Sequence, residues 1–190
     1  MFYTNKKVVV FDFDGVIVDS NKIKYDAFFA IWSGHVSKYM VKESLLIGGD
    51  RTKVIGRLYE SSDKSSHIDY KLEYLVNKYS KMVHEEILKI GVSKNVLNFL
   101  MNTNKKIFIN SATPQIELIQ LCNDLNINQY FAGIFGSPKS KKANFNIIFD
   151  NYNTTFEQIA FFGDMQSDQD VADEMNIDFY KIFSKESDFI

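Results

Sequence analysis

The chain has 190 residues, long enough for one sizeable core or for one core with a smaller inserted subdomain, and its composition of 45% hydrophobic and 24% charged residues is typical of a soluble globular protein. A formal net charge of −2 lacks the strongly basic character that nucleic acid or anionic membrane surfaces demand, so we expect neither partner. One cysteine, no apolar signal segment at the N-terminus and no membrane-spanning run together predict a cytoplasmic location.

The first predicted element is a short strand that ends on two carboxylates. Four apolar residues, Val8–Phe11, precede Asp12, and Gly15 lets the chain turn just after Asp14. Because side chains alternate along a strand, Asp12 and Asp14 should project to the same side. Two neighbouring negative charges favour a hard cation such as Mg²⁺, which takes carboxylate and carbonyl oxygens as ligands. The alternative is a pair of solvated aspartates in a turn.

A segment with helical periodicity follows, from about Val16 to Val92. Its clearest amphipathic stretches are NKIKYDAFFAIWS and LEYLVNKYSKMVHEEI, whose apolar residues recur at helical spacing. All three histidines lie in this segment without the spacing of a zinc-binding helix, so we interpret them as surface or packing residues.

Beyond residue 92 the pattern changes to strands separated by single helices. The predicted order alternates strand and helix through KIFINSA, PQIELIQLCNDLNI, FAGIFGS, KANFNIIFDNY, QIAFFGD, SDQDVADEM and DFYKIF. This order predicts an α/β fold, with a Rossmann-like parallel sheet formed by residues 1–15 and 93–190 and an inserted α-helical cap subdomain at 16–92. Cys122 falls on the apolar face of the first of these helices and is expected to be a core thiol.

Polar residues follow four of the predicted strands at their carboxyl ends, where open parallel sheets form their binding sites. These residues are Asp12 and Asp14, then Ser111, then Lys141, and finally Asp164 with Asp168 one helical turn later. The sequence therefore predicts that carboxylates, a hydroxyl and an ammonium group meet at one edge of the sheet.

The order of these motifs resembles the haloacid dehalogenase (HAD) superfamily, specifically its Mg²⁺-dependent phosphatases with a helical cap after the first motif. DFDGV is similar to the family's nucleophile motif, Ser111 in FINSATP to the second motif, Lys141 in GSPKSKKANF to the third and GDMQSD to the fourth. Many relatives have a proline after the third-motif lysine and this chain has none, so Lys142 is the alternative to Lys141.

The resemblance implies a role for each motif residue. Asp12 would attack phosphorus and form an aspartyl-phosphate, and Asp14 would be general acid for the leaving group and then general base for water. Mg²⁺ would be held by Asp12, by the backbone carbonyl of Asp14 and by Asp164, while Asp168 would support either the metal's ligands or the lysine. The groups that would bind the phosphoryl oxygens are the Ser111 hydroxyl, the Ala112 amide and the Lys141 ammonium.

The implied function is Mg²⁺-dependent hydrolysis of a small phosphomonoester such as a sugar phosphate or phosphoglycolate. A phosphomutase of the β-phosphoglucomutase kind is the alternative, since its motifs are the same, and an inactive module that binds a phosphometabolite or a protein partner is a further one.

A second resemblance concerns the cap. GGDRTKVI is similar to the loop by which β-phosphoglucomutase-like caps present an arginine to the substrate, so Arg51 is a predicted substrate-binding residue. Asp50 would cap the helix that starts at Arg51, and Arg57 would be structural. The alternative for Arg51 is a solvated surface residue.

Overall fold

A computed structural model of the chain describes residues 5–62 and 71–183. The chain divides into two compact units, one made of Met1–Asp19 with Ile90–Ile190 and the other of Ser20–Lys89. We call them the sheet unit and the helical unit. Across the two described stretches, the helices are all too short or too polar to traverse a lipid bilayer.

The helical unit is built from consecutive amphipathic helices. They are α1 (Asn21–Ile31), α2 (Lys38–Ile47), α3 (Arg51–Ser61) and α4 (Leu72–Ile90). The Ser37 hydroxyl caps α2 by accepting a hydrogen bond from the Met40 amide, and the Asp50 carboxylate caps α3 by accepting one from the Lys53 amide. The predicted cap at Asp50 and the helix start at Arg51 are therefore confirmed.

The sheet unit contains a five-stranded parallel sheet. Its strands are β1 (Val8–Phe11), β2 (Lys106–Pro114), β3 (Gly133–Ser137), β4 (Ile159–Gly163) and β5 (Asp178–Lys181). Their spatial order is β3-β2-β1-β4-β5, so that β1 lies at the centre and pairs with β2 and β4. The predicted α/β class with a Rossmann-like parallel sheet is confirmed.

Helices cover both faces of this sheet. They are α5 (Lys94–Asn102), α6 (Gln115–Asp124), α7 (Lys141–Tyr152) and α8 (Gln166–Met175). Val10 packs in a buried cluster with Phe145 of α7 and Ala172 of α8. Its neighbour Phe11 projects to the opposite face, where its ring meets that of Phe99 in α5 at 5.7 Å.

The sequence pattern missed α5. This helix has only nine residues, and Asn95, Asn98 and Asn102 are poor helix formers, so its local signal is weak. Its helical state rests on tertiary burial, because Val96 and Leu100 are both withdrawn from solvent.

The end of β2 differs from the prediction. The predicted strand KIFINSA ends at Ala112, whereas the structure continues the strand to Pro114. Between the pairs Asn110–Phe135 and Pro114–Ser137, β2 advances by four residues while β3 advances by two. The surplus residues form an irregularity that periodicity cannot reveal, and this irregularity holds Ser111 and Thr113.

Candidate active site

One lysine joins two carboxylates beyond the carboxyl ends of β1 and β4. Lys141 Nζ lies 2.7 Å from Asp12 Oδ2 and 2.5 Å from Asp168 Oδ1. Asp12 is 6% exposed and Asp168 is fully buried, so these contacts form away from bulk water. Charged contacts of this kind are stronger than exposed ion pairs, which water screens.

Burial and charge act against each other on this pair. Burial raises the pKa of Asp12 to about 6, although the ammonium group of Lys141 works in the opposite direction. Burial also opposes the charge on Lys141, but the carboxylates of Asp12 and Asp168 together hold the pKa of Lys141 above its ordinary value. The lysine is therefore cationic at neutral pH.

The side chain of Asp12 has a fixed orientation. Its Oδ1 accepts a hydrogen bond of 2.6 Å from the Phe13 amide, while Oδ2 faces Lys141. Its own amide donates to the Phe162 carbonyl at 2.8 Å, which extends the pairing of β1 with β4 by one step. The strand end thus holds the carboxylate in place from both its backbone and its side chain.

The loop after β1 places Asp14 next to a threonine. Gly15 has a φ of +74°, which glycine adopts without strain, and its amide donates to the Val18 carbonyl at 2.8 Å. Asp14 Oδ2 accepts a hydrogen bond of 2.7 Å from the Thr113 hydroxyl. Thr113 was not among the predicted site residues, because the irregularity of β2 that contains it cannot be recognised from strand periodicity.

Three carboxylates form a cluster that suits a hard cation. Asp12, Asp164 and Asp168 each offer an oxygen, and these oxygens all lie within 4.8 Å of one another. Carboxylate oxygens are the ligands that Mg²⁺ prefers, so the chemistry of the donor set fits this ion. Asp14, the fourth predicted metal residue, was expected to contribute its backbone carbonyl and not its carboxylate.

Asp168 has both carboxylate oxygens engaged within the protein. Oδ1 contacts Lys141, and Oδ2 accepts a hydrogen bond of 3.2 Å from the Met165 amide at the start of α8. A Cβ on Gly163 would lie 2.6 Å from Asp168 Cβ and 2.7 Å from Oδ2. Glycine is therefore required at 163 for Asp168 to approach β4 so closely.

Two buried asparagines hold the first residue of α7. Asn110 Nδ2 donates to the Lys141 carbonyl at 2.9 Å, and Asn144 Nδ2 donates to Asn110 Oδ1 at 3.0 Å. Asn110 is 0% exposed and Asn144 is 1% exposed, so each amide depends on the other protein groups for its hydrogen bonds. The pair ties α7 to β2 and thereby positions Lys141. Neither asparagine was among the predicted site residues.

The neighbouring lysine has a different environment. Lys142 Nζ pairs with Glu174 on the exposed surface of α7 and α8. Lys141, and not Lys142, contacts the carboxylates of Asp12 and Asp168.

Ser111 and Ala112 lie in the irregular part of β2. Ser111 is buried, and its hydroxyl oxygen accepts a hydrogen bond of 3.2 Å from the Thr113 amide, while Ala112 is exposed. The pairing of β2 with β1 ends at Ile109, which lies opposite Phe11. Ser111 therefore lies two residues beyond the last position of β2 that pairs with β1.

The two arginines have distinct surroundings in the helical unit. Arg57 Nη2 donates to the carbonyls of Ser44 and Gly48 at 2.7 and 2.6 Å, which confirms its predicted structural role. The guanidinium carbon of Arg51 lies 5.9 Å from the ring centroid of Tyr79, within range of a cation–π contact.

Comparison with known proteins identifies the family. Residues 9–182 match the model of the haloacid dehalogenase-like hydrolases. The chain belongs to this family. The resemblance drawn from the four motifs is thereby confirmed, as is the prediction that the protein is a hydrolytic enzyme.

This hydrolase is similar to proteins named for phosphate ester chemistry. It is 24% identical over 182 residues to a phosphorylated carbohydrates phosphatase of Thermotoga maritima, which covers 90% of this chain and 82% of that relative. Two solved structures share its fold at 18% identity and a TM-score of 0.73. One is a candidate β-phosphoglucomutase from Thermotoga maritima (96% of this chain, 88% of the other), and the second is a predicted phosphoglycolate phosphatase from Haemophilus somnus 129PT (98% and 89%).

Proposed function

We propose that this hydrolase is a Mg²⁺-dependent phosphatase that acts on a small phosphomonoester through an aspartyl-phosphate. The observation that carries the proposal is the buried Asp12 carboxylate, fixed by the Phe13 amide and by Lys141 within a cluster of carboxylates. Hydrolysis of a phosphomonoester needs an in-line nucleophile, neutralisation of phosphate charge and a proton for the leaving oxygen. Residues of the sheet unit supply each of these.

In the first half-reaction a carboxylate oxygen of Asp12 forms a bond to phosphorus while the bond to the ester oxygen breaks. The departing oxygen takes its proton from Asp14. In the second half-reaction water attacks the aspartyl-phosphate, Asp14 accepts a proton from that water, and Asp12 is released as a carboxylate. The two carboxylates thus divide the work between nucleophile and proton carrier.

The charge of the transferred group is met by cationic and hydrogen-bonding groups. The Lys141 ammonium, the Ser111 hydroxyl and the Ala112 amide bind the phosphoryl oxygens. Asp12, Asp164 and the backbone carbonyl of Asp14 would hold Mg²⁺, and Asp168 supports the site by orienting Lys141. When bound, Mg²⁺ neutralises the negative charge that the phosphate and the carboxylates bring together.

The substrate is a phosphorylated small molecule. The activity named for the phosphorylated carbohydrates phosphatase supports this class, and so does a net charge of −2 that does not favour nucleic acid. We infer that residues 16–92 act as the substrate-selecting cap of a core formed by residues 1–15 and 93–190. In this cap Arg51 would bind a part of the substrate remote from the reacting phosphate, a role supported by the similarity of GGDRTKVI to the arginine loop of β-phosphoglucomutase-like caps.

A phosphomutase of the β-phosphoglucomutase kind is the second candidate. Its support is the fold shared with the candidate β-phosphoglucomutase and the similarity of GGDRTKVI to the arginine loop of such caps. Both reactions share the aspartyl-phosphate, and they differ in whether water or a sugar hydroxyl receives the phosphoryl group.

The test is phosphate release from a panel of sugar phosphates, phosphoglycolate and p-nitrophenyl phosphate, with Mg²⁺ and with a chelator. We expect release that depends on Mg²⁺, is lost in Asp12→Asn and is kept in Asp170→Asn, a control at an exposed carboxylate of α8. Isomerisation of a hexose 1-phosphate that outruns phosphate release would favour the mutase. Absence of turnover on every ester would contradict both reactions and favour a binding module.

A further inference from the structure

We propose that Thr113 is a positioning residue that orients the Asp14 carboxylate for proton transfer, an inference that rests on the proposed phosphatase function. The hydroxyl of Thr113 donates a hydrogen bond of 2.7 Å to Asp14 Oδ2. Thr113 is 6% exposed, whereas Asp14 is half-buried. A buried donor therefore holds a carboxylate that remains accessible.

The position of Thr113 is fixed by its own backbone. Its amide donates to the Ser111 hydroxyl oxygen at 3.2 Å, across the irregular stretch of β2. Its carbonyl passes so close to β3 that a Cβ on Gly136 would lie 2.5 Å from the carbonyl oxygen. Because position 136 is glycine, β3 packs closely against the backbone of Thr113. This packing fixes the backbone from which the Thr113 side chain projects.

The fixed Thr113 hydroxyl determines the orientation of the Asp14 carboxylate. The terminal torsion of an aspartate side chain has a broad minimum, so a free carboxylate samples many orientations. A hydrogen bond to Oδ2 selects one of them and so fixes the direction in which the carboxylate meets the leaving oxygen and later the water. Misorientation of a catalytic group is costly because proton transfer requires the two heavy atoms at hydrogen-bonding distance.

Thr113 serves Asp14 and does not itself exchange a proton with the substrate. Its hydroxyl proton lies in the bond to Asp14, and its neighbour Ser111 is the hydroxyl proposed to bind the phosphoryl group. Removal of the Thr113 hydroxyl should therefore harm the steps that need proton transfer and spare the binding of phosphate. This distinction separates a positioning role from a general structural one.

The experiment compares wild type, Thr113→Val and Thr113→Ser on p-nitrophenyl phosphate and phenyl phosphate with Mg²⁺. Phenolate is a poorer leaving group than p-nitrophenolate and depends more on protonation. We expect Thr113→Val to lower kcat/KM on phenyl phosphate by about 10- to 100-fold and on p-nitrophenyl phosphate by less than about threefold. Thr113→Ser should restore both values to within about threefold of wild type.

A second measurement tests whether the effect passes through Asp14. In an Asp14→Asn background no carboxylate remains to be oriented, so adding Thr113→Val should leave the burst rate of phenol release from phenyl phosphate within about twofold, in place of the loss of about 10- to 100-fold expected when Asp14 is present. Circular dichroism checks that the variants fold, and Thr113→Ala replaces Thr113→Val if the valine variant does not.

The outcomes separate this inference from the proposed function. If the wild type releases no phosphate from either ester, the proposed function is wrong and the role of Thr113 fails with it. If the wild type is active but Thr113→Val lowers kcat/KM equally on both esters, only the positioning role is overturned. An additive loss in the double variant would overturn it in the same way.

Discussion

The ammonium group of Lys141 lies 2.5 Å from the carboxylate of Asp168, a residue with no exposed surface. This contact ties the start of α7 to the start of α8, and it aims the same ammonium group at Asp12, 2.7 Å away. Asp168 thus acts on the proposed nucleophile through Lys141, and its contribution can be tested without altering Asp12 itself.

Replacing Asp168 with Asn removes one of the two charges that hold Lys141. We expect kcat/KM on p-nitrophenyl phosphate to fall by about 10- to 100-fold, the range typical of residues that support a metal or its partners. The measurement is steady-state kinetics. The matched control is Asp170→Asn, the same substitution at an exposed position of the same helix. Equal activity of the two variants would show that Asp168 does not support the reaction.

Glycine at 163 is required by the close approach of Asp168. A Cβ there would lie 2.6 Å from Asp168 Cβ, so Gly163→Ala should shift α8, lower the free energy of unfolding by about 1–3 kcal/mol and reduce turnover. The matched control is Gly56→Ala in α3, where the nearest atom would be Leu72 Cδ2 at 4.0 Å. That variant should be neutral or stabilising by about 0.5–1 kcal/mol.

Urea denaturation of the two alanine variants gives the comparison. A Gly163→Ala protein as stable and as active as wild type would mean that α8 and Asp168 are free to move away from β4 without consequence.

Arg51 should matter only for substrates that carry a remote anionic or polar group. Arg51→Ala is expected to lower kcat/KM on the best small-molecule substrate by about 10- to 100-fold and to leave p-nitrophenyl phosphate almost unchanged. Lys53→Ala, an exposed cation on the same helix, is the control and should change neither value. Equal losses on both substrates would point to damaged packing of the helical unit, and no loss would make Arg51 a surface residue.

Cys122 should be chemically inert in the folded protein. Burial raises the pKa of its thiol to about 12, so only about one molecule in 10⁴ carries a thiolate at pH 8. We expect a disulfide reagent to label the folded chain far more slowly than the chain in denaturant, measured by absorbance of the released thiolate. Labelling at the same rate in both states would contradict the burial of this side chain.

The elements with strong local signals could be predicted from the sequence. The buried strand before Asp12, the alternation of strands and helices after residue 105, the cap at Asp50 and the burial of Cys122 all follow from periodicity and residue type. The family followed from motifs at strand ends, since each motif is local and the order of the motifs is specific.

Features that depend on how distant parts of the chain pair with one another could not be predicted from the sequence. The irregularity of β2 is defined by its pairing with β3, so the extension to Pro114 and the contact of Thr113 with Asp14 have no local signature. The buried asparagines Asn110 and Asn144 are hydrogen-bonded to each other although they lie 34 positions apart in the sequence. Because asparagine is usually exposed, the sequence favours a surface position for both. These are also the groups that orient Asp14 and Lys141.

Detection of a phosphoryl group on Asp12 tests the proposed aspartyl-phosphate mechanism. Wild type and Asp14→Asn are mixed with p-nitrophenyl phosphate and Mg²⁺, quenched in acid and analysed by mass spectrometry of peptides. Because Asp14→Asn lacks the base for the second half-reaction, we expect it to accumulate the phosphoryl group on Asp12, and the label to be absent in Asp12→Asn and with a chelator. Phosphate release by the wild type without any covalent label on Asp12 in either protein would show that Asp12 is not the nucleophile.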